Sequence, residues 1–217
     1  LEALAEEGVD VALVDVLHGF TSGVALITVD DVGENTIAVH PGANGRLGLT
    51  RESRALIERA DIVLLQLEVP LATVIEAATI ATGTVVLNAA PAMALPVELT
   101  EELDVLIVNE HERSVALESG GELAVPIVIT TLGAAGATIM TPLGTSGVEA
   151  PEVEVVDATG AGDAFCGAFA EALDRGEDTV DAVAWATRAG ALATTGMGAR
   201  TAMPTRSDMG RRTKKAQ

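Results

Sequence analysis

The residues best suited to chemistry lie in the stretch VEVVDATGAGDAFCGAF, residues 153–169. There the β-branched Val153, Val155 and Val156 lead into a turn holding Gly160 and Gly162, and Asp163 opens an apolar, Ala-rich run. This pattern predicts a strand, a glycine turn and a helix start. The free N–H groups of a helix's first turn, at the positive end of its dipole, converge on one point and favour an anion there. Glycine at 160 and 162 lets an anion approach the backbone and frees φ. A carboxylate at Asp163 would repel a phosphate. It has a use beside an anion hole if it takes the proton from a hydroxyl that attacks a phosphoryl group. The same residues also suit an ordinary helix N-terminus capped by Thr159 or Asp163, and both readings stand at this level.

The run DATGAGDAFCGAFAEAL resembles the C-terminal signature of the ribokinase-like (PfkB) carbohydrate kinases, a D-T-x-G-A-G-D core followed by a small-residue helix. Rival glycine motifs fit worse, since the chain has neither G-x-x-x-x-G-K-[ST] nor a G-x-G-x-x-G after an N-terminal strand. The resemblance, closest to the ribokinase branch, implies Asp163 as catalytic base facing the substrate hydroxyl, and the amides of Gly160, Ala161 and Gly162 as the anion hole. The implied activity is ATP-dependent phosphorylation of a sugar's primary hydroxyl, D-ribose to D-ribose 5-phosphate. The alternatives are a sibling kinase for fructose, a phosphosugar or a nucleoside, and a non-catalytic fragment that binds nucleotide. Arg46 is the sole basic residue near the N-terminal hairpin, which favours a neutral sugar over a phosphosugar.

Composition narrows the classes. At 217 residues, 48% hydrophobic and with mean hydropathy +0.38, the chain is long and apolar enough for a substantial core. Aromatics are only 2%, so that core is built from Ala, Val, Leu and Ile. The net charge of −19, with Lys214 and Lys215 the only lysines, argues against a nucleic-acid partner, which needs a basic face. A local anion hole with a divalent metal serves a nucleotide without a basic surface. No window approaches a membrane span, no signal peptide is present, and the lone Cys166 has no internal disulfide partner; the cytoplasm is the default location.

In chain order, residues 1–7 read as the end of a helix with Gly8 as its C-terminal cap. A chain opening this way reads as a fragment, lacking, relative to the family, the first core strands and a sugar-gripping Gly-Gly segment. Residues 21–40 alternate over two runs around a polar turn at Asp30–Asn35, a β-hairpin. The resemblance implies that this hairpin is a lid over the sugar and the contact of a homodimer. A hairpin alone is marginal in water, so it needs a partner sheet. Residues 51–60 have helical spacing, and 61–67 form a buried-strand run ending at Glu68 and Pro70. By its residues alone Glu68 is a solvated loop charge; the resemblance implies a hydrogen bond to a sugar hydroxyl.

A helix over 71–81, a strand over 84–87, a proline-rich loop over 88–96 and a strand over 103–108 follow. They run into Asn109-Glu110-His111-Glu112, which matches the family's N-E-x-E. That match implies Asn109 on the nucleotide phosphates and Glu112 on a hydrated Mg²⁺, which suits a hard cation that keeps its waters. His18, His40 and His111 lack ligand spacing. After a strand at 127–130, Thr131-Leu132-Gly133-Ala134-Ala135-Gly136 is a second glycine turn, of the family's T-L-G-x-x-G type, implied to wrap the nucleotide. Between Thr131 and Asp157 there is room for two short strands.

Helices are expected over 164–173 and 182–193, the latter burying Trp185, with 196–203 closing the core and a frayed polar tail from Arg206. The resemblance implies Thr187 near the adenine, where the family usually has Asn or His. It also implies a K⁺ site formed by Asp157, Thr159, Ala193, Gly196, Gly198 and Ala202. Alternating strands and helices from Asp61 onward predict an α/β fold, a three-layer αβα sandwich on a mostly parallel sheet with a protruding hairpin. The expected divisions are residues 1–20 as a remnant of the core, 21–45 as the lid, 46–205 as the nucleotide-binding core and 206–217 as the tail.

Overall fold

The computed structural model describes residues 1–29, 35–117 and 125–210. A six-stranded sheet runs β3 (Ile62–Gln66), β4 (Thr84–Asn88), β5 (Val105–Asn109), β6 (Ile127–Thr131), β7 (Ala137–Thr141), β8 (Gly144–Val148), in that spatial order. The first four strands are parallel and the last two antiparallel, with pairs such as Leu106 with Val128 and Thr130 with Thr138. Val85, Val86 and Leu87 and then Val105 to Val108 are buried in unbroken runs. A parallel strand covered on both faces requires that, because neither face meets water.

Alternate side chains sort these strands into two cores. Leu87, Leu106, Val108 and Val128 face α3 (Leu71–Ile80), α4 (Val97–Thr100) and α5 (Glu110–Leu117). Val86, Val105, Ile107 and Ile129 face α6 (Ala161–Asp174) and α7 (Thr179–Ala193). The result is the expected three-layer α/β sandwich. With few aromatics available, α6 and α7 meet through Ala164, Ala168, Ala172, Ala182, Ala186 and Ala189, and small side chains bring the two backbones close.

Before the sandwich in sequence come α1 (Glu2–Glu6), the antiparallel pair β1 (Val24–Val29) and β2 (Asn35–His40), and α2 (Arg51–Ile57), which lies against α3 through an Arg54–Glu76 ion pair. The hairpin is a sheet of its own, with Val24, Leu26 and Val39 exposed. Of the expected turn at Asp30–Asn35, residues 30–34 lie outside the described residues, as do 118–124 and 211–217 of the tail.

Several expectations fail for physical reasons. Among the described residues, 153–156 belong to no strand, and the chain bends at Val156. β-Branching favours extended backbone without supplying a neighbour, and the amide of Val156 donates instead to the Thr194 carbonyl, 2.7 Å. The tail begins with α8 (Arg206–Met209), closed by a capping box between Thr205 and Asp208, with Met209 buried beside Ala164, Ala189 and Ala193. Trp185 is half-buried because its Nε1 donates to Glu171, 3.1 Å, and the Arg175 guanidinium lies 4.8 Å from its ring centroid. α4 was not expected, nor was the full extent of α5.

Phe169, in α6 against the sheet, is the largest fully buried side chain among the described residues. Phe169→Ala should destabilise the fold by about 3–5 kcal/mol. The check is urea denaturation followed by circular dichroism, where an unchanged midpoint would show that α6 is not packed as described.

Candidate active site at the carboxyl edge of the sheet

The parallel strands end together, so Glu68 after β3, Asn109 at the end of β5 and Thr131 at the end of β6 share one edge; Asn109 and Thr131 are register partners. Ligands of open α/β sheets bind at this edge. The thiol of Cys166, buried one turn into α6, lies within reach of the charges of Asp163 and Glu112. Burial pushes that thiol up to about 12, and the charges of Asp163 and then Glu112 add to the rise. Both carboxylates therefore act on one point near the start of α6.

α6 begins without a cap. Gly160 holds the N-cap position at φ +82°, and no side chain accepts from the first turn. Of the two expected caps, Thr159 sends both its N–H and its hydroxyl to Asp157 Oδ1, 2.9 and 2.6 Å, and Asp163 lies exposed in the first turn. The amide of Ala161 donates to the Ala158 carbonyl, 3.2 Å, whereas those of Gly160, Gly162 and Asp163 have no acceptor among the described residues. The open donors thus differ from the expected set by one residue. The two glycines also have different reasons. A Cβ on Gly160 would stand 2.9 Å from the Cα and the carbonyl oxygen of Ala199, but one on Gly162 would meet nothing. Only Gly162 faces open space.

Asp157 ties this turn to the loop after α7. Its Oδ2 accepts from the Gly198 amide, 2.8 Å, and its own N–H donates to the Thr194 carbonyl. Hydrogen bonds from Thr159, first through its side chain, and from Gly198 hold its carboxyl below the ordinary 3.8. Thr159, Gly196, Gly198 and Ala202 gather around it: a Cβ on Gly196 would lie 3.2 Å from that of Ala202, and the Ala202 amide donates to the Gly198 carbonyl. Ala193 precedes Thr194 at the end of α7. The carbonyls of Thr159, Ala193 and Gly196 accept no backbone hydrogen bond among the described residues, and oxygen donors of this kind fit a hard monovalent cation.

Asn109 and Glu112 are joined differently from the expectation. Asn109 N–H donates to Glu112 Oε2, 2.7 Å, and Glu112 N–H to Asn109 Oδ1, 2.8 Å. This reciprocal pair is a capping box at the start of α5, a structural role that the spacing N-x-x-E already carried. It leaves Glu112 Oε1 and the Asn109 NH₂ without a hydrogen bond among the described residues, so the pair can still serve a hydrated Mg²⁺ and a phosphate. In the T-L-G-A-A-G turn, residues Gly133–Ala135 form a 3₁₀ turn, closed by the Leu132 amide on the Gly136 carbonyl, 2.8 Å. Gly136, at φ +97°, packs on the Val148 carbonyl, with Ala134 and Ala135 exposed. Thr187 is buried in α7 and its hydroxyl has no hydrogen-bond partner among the described residues. Glu68 is exposed. Among the described residues no three His, Cys, Asp or Glu side chains form a metal cluster, and no helix is long and apolar enough to cross a membrane.

This geometry, an open helix N-terminus with a carboxylate beside it at the ligand edge of an α/β sheet, meets a family-wide match. Residues 1–206 match the pfkB family carbohydrate kinase. The chain belongs to that family. It is 36% identical over 205 residues to a ribokinase of Staphylococcus aureus, covering 84% of this chain and 67% of that protein. The solved ribokinase of Thermotoga maritima superposes with TM-score 0.79 at 34% identity, over 88% of this chain and 69% of that one. The ribokinase of Arabidopsis thaliana, solved with ribose and ATP, gives TM-score 0.80 at 28% identity, over 88% and 69%. This pfkB-family protein is thus an ATP-dependent carbohydrate kinase.

Two measurements check the site. Because the Asp157 carboxyl is held below 3.8, its contribution is present above that value and is lost as pH falls through the lowered one. Asp157→Asn should therefore flatten the acid limb of Tm against pH, and an unchanged limb would show that the clasp to Gly198 carries no charge-dependent stability. The Cys166 thiol should resist iodoacetamide at pH 8 until the protein unfolds. Rapid labelling of the native state would contradict the burial of α6.

Proposed function

We propose that the sugar is D-ribose and the product D-ribose 5-phosphate, with Asp163 as the base. The primary hydroxyl attacks the γ-phosphorus of ATP and its proton passes to the Asp163 carboxylate. The new P–O bond forms as the bond from phosphorus to the β–γ bridging oxygen breaks, and ADP leaves. The N–H groups of Gly160 and Gly162, with that of Asp163 beside them, stabilise charge on the moving phosphoryl group; Ala161 joins them only by releasing Ala158. The observation that carries this reading is the uncapped start of α6 beside an exposed carboxylate.

Around that centre, Asn109 and residues 131–136 take the nucleotide phosphates and ribose, and Thr187 lies toward the adenine. Glu68 takes a sugar hydroxyl. Mg²⁺, when bound, supplies counter-charge to the polyphosphate, and Glu112 Oε1 is the group that holds its water shell. Asp157, with the carbonyls of Thr159, Ala193, Gly196, Gly198 and Ala202, holds K⁺. The ribose and ATP bound to the Arabidopsis thaliana relative support this substrate pair. So does Arg46, whose guanidinium sits 4.3 Å from the Phe20 ring centroid: the one cation near the hairpin is already placed, which suits a neutral sugar. The exposed apolar residues of the hairpin support its role as lid and homodimer contact in a cytoplasmic enzyme.

Asp163→Asn should retain ADP binding by calorimetry while kcat falls by several orders of magnitude, toward the upper end of the about 10²–10⁴-fold that a general base contributes. A near-parental kcat would overturn the base assignment, and preference for fructose or adenosine over ribose in a substrate panel would overturn the sugar.

A further inference from the structure

The start of α6 is held from behind by α7 and the loop that follows it. Thr194 takes the amides of Val156 and Asp157 on its carbonyl, 2.7 and 3.1 Å, and Asp157 takes the Gly198 amide. At two further points the contact is backbone to backbone. Gly160 lies so close to Ala199 that a Cβ on it would stand 2.9 Å from the Ala199 Cα. Gly190, buried in α7, would place a Cβ 3.1 Å from the Ala161 carbonyl oxygen. These contacts touch Gly160, whose own amide is open, and Ala161, which precedes the open amides of Gly162 and Asp163.

We propose that Gly190 and Ala199 are positioning residues that set where the anion-binding amides of α6 point. Neither touches substrate. The inference rests on the phosphoryl-transfer reading. A hydrogen bond to a developing charge is steep in distance and angle, so a shift of a few tenths of an ångström at Ala161 or Gly160 weakens transition-state stabilisation more than ground-state binding. A methyl at Gly190 forces such a shift, since 3.1 Å is closer than a carbon normally approaches a carbonyl oxygen. A larger side chain at Ala199 presses on Gly160 in the same way.

The test uses Gly190→Ala and Ala199→Val. Replacing a mid-helix glycine by alanine raises helix propensity, so a merely structural role predicts an equal or higher Tm with unchanged turnover. Positioning predicts the opposite split. For both variants kcat with the preferred sugar should fall about tenfold, on the scale of losing part of one anion-hole donor. The KM for ATP should change by less than about twofold, as expected when uniform binding is untouched. In amide NMR spectra the Gly160 and Gly162 resonances should move, which is independent of turnover. Parental kcat in both variants, or unmoved resonances, overturns the proposal. Absence of sugar-dependent ATP consumption in the parent protein overturns the phosphoryl-transfer reading instead, and the resonances alone then decide whether Gly190 and Ala199 control the turn.

Discussion

The backbone donors at the start of α6 are left open, and much of the surrounding structure follows from that constraint. Most helices spend a side chain on their first turn; here Thr159, the natural candidate, is turned away to Asp157. Unpaired amides are tolerable because the turn faces open space at Gly162, where water or a ligand can reach them. An uncapped end is also a soft end, since side-chain caps fix the entry of the chain into a helix. The fixing is done from outside the helix, by Thr194, Gly198 and Ala199. The open turn is thus held by two segments far apart in sequence, and Asp157 is one of the residues that join them.

Charge makes the same site demanding. The protein carries −19 overall, and Asp163 and Glu112 both raise the Cys166 thiol, so the field near the start of α6 is negative. The dipole of α6 and its free amides offset part of that field, but only within the first turn. On the proposed reading a divalent cation would offset the rest, which gives the Glu112 oxygen left without a hydrogen bond among the described residues more weight than the scarcity of lysine. Nucleotide binding by so acidic a chain is therefore a question of local counter-charge, not of net charge.

What the sequence made legible was whatever depends on residue type at short range. The strands from Ile62 to Thr131 announce themselves as unbroken apolar runs, and D-A-T-G-A-G-D is readable as a turn into a helix, with Gly160 required by its positive φ and its contact with Ala199. N-E-x-E was read for its ligands and not for the capping box it forms, although the spacing from Asn109 to Glu112 carried both. Val153 to Val156 looked like a strand because β-branching reports extended backbone and says nothing of a partner. The bond between Asp157 and Gly198 spans 41 residues and ends on an amide, which every residue but proline possesses, so no residue type marks it. α8 was hidden for a related reason: a polar, basic run reads as solvated, and only the position of Met209 in the core shows that it docks.

The poverty of aromatics and the abundance of alanine, first met as a question about core volume, take on a different meaning at α6 and α7. Large side chains between two helices hold their axes apart and leave their relative position to rotamers. Alanine and glycine let the backbones touch, as Gly190 does with Ala161, and a contact between backbones has little freedom to relax. A catalytic device made of amides can be no better placed than the backbone that carries them. In a helix pair packed through small residues that backbone is located by neighbouring backbone, so the composition that makes this core look plain is also what fixes the position of the open turn at the start of α6.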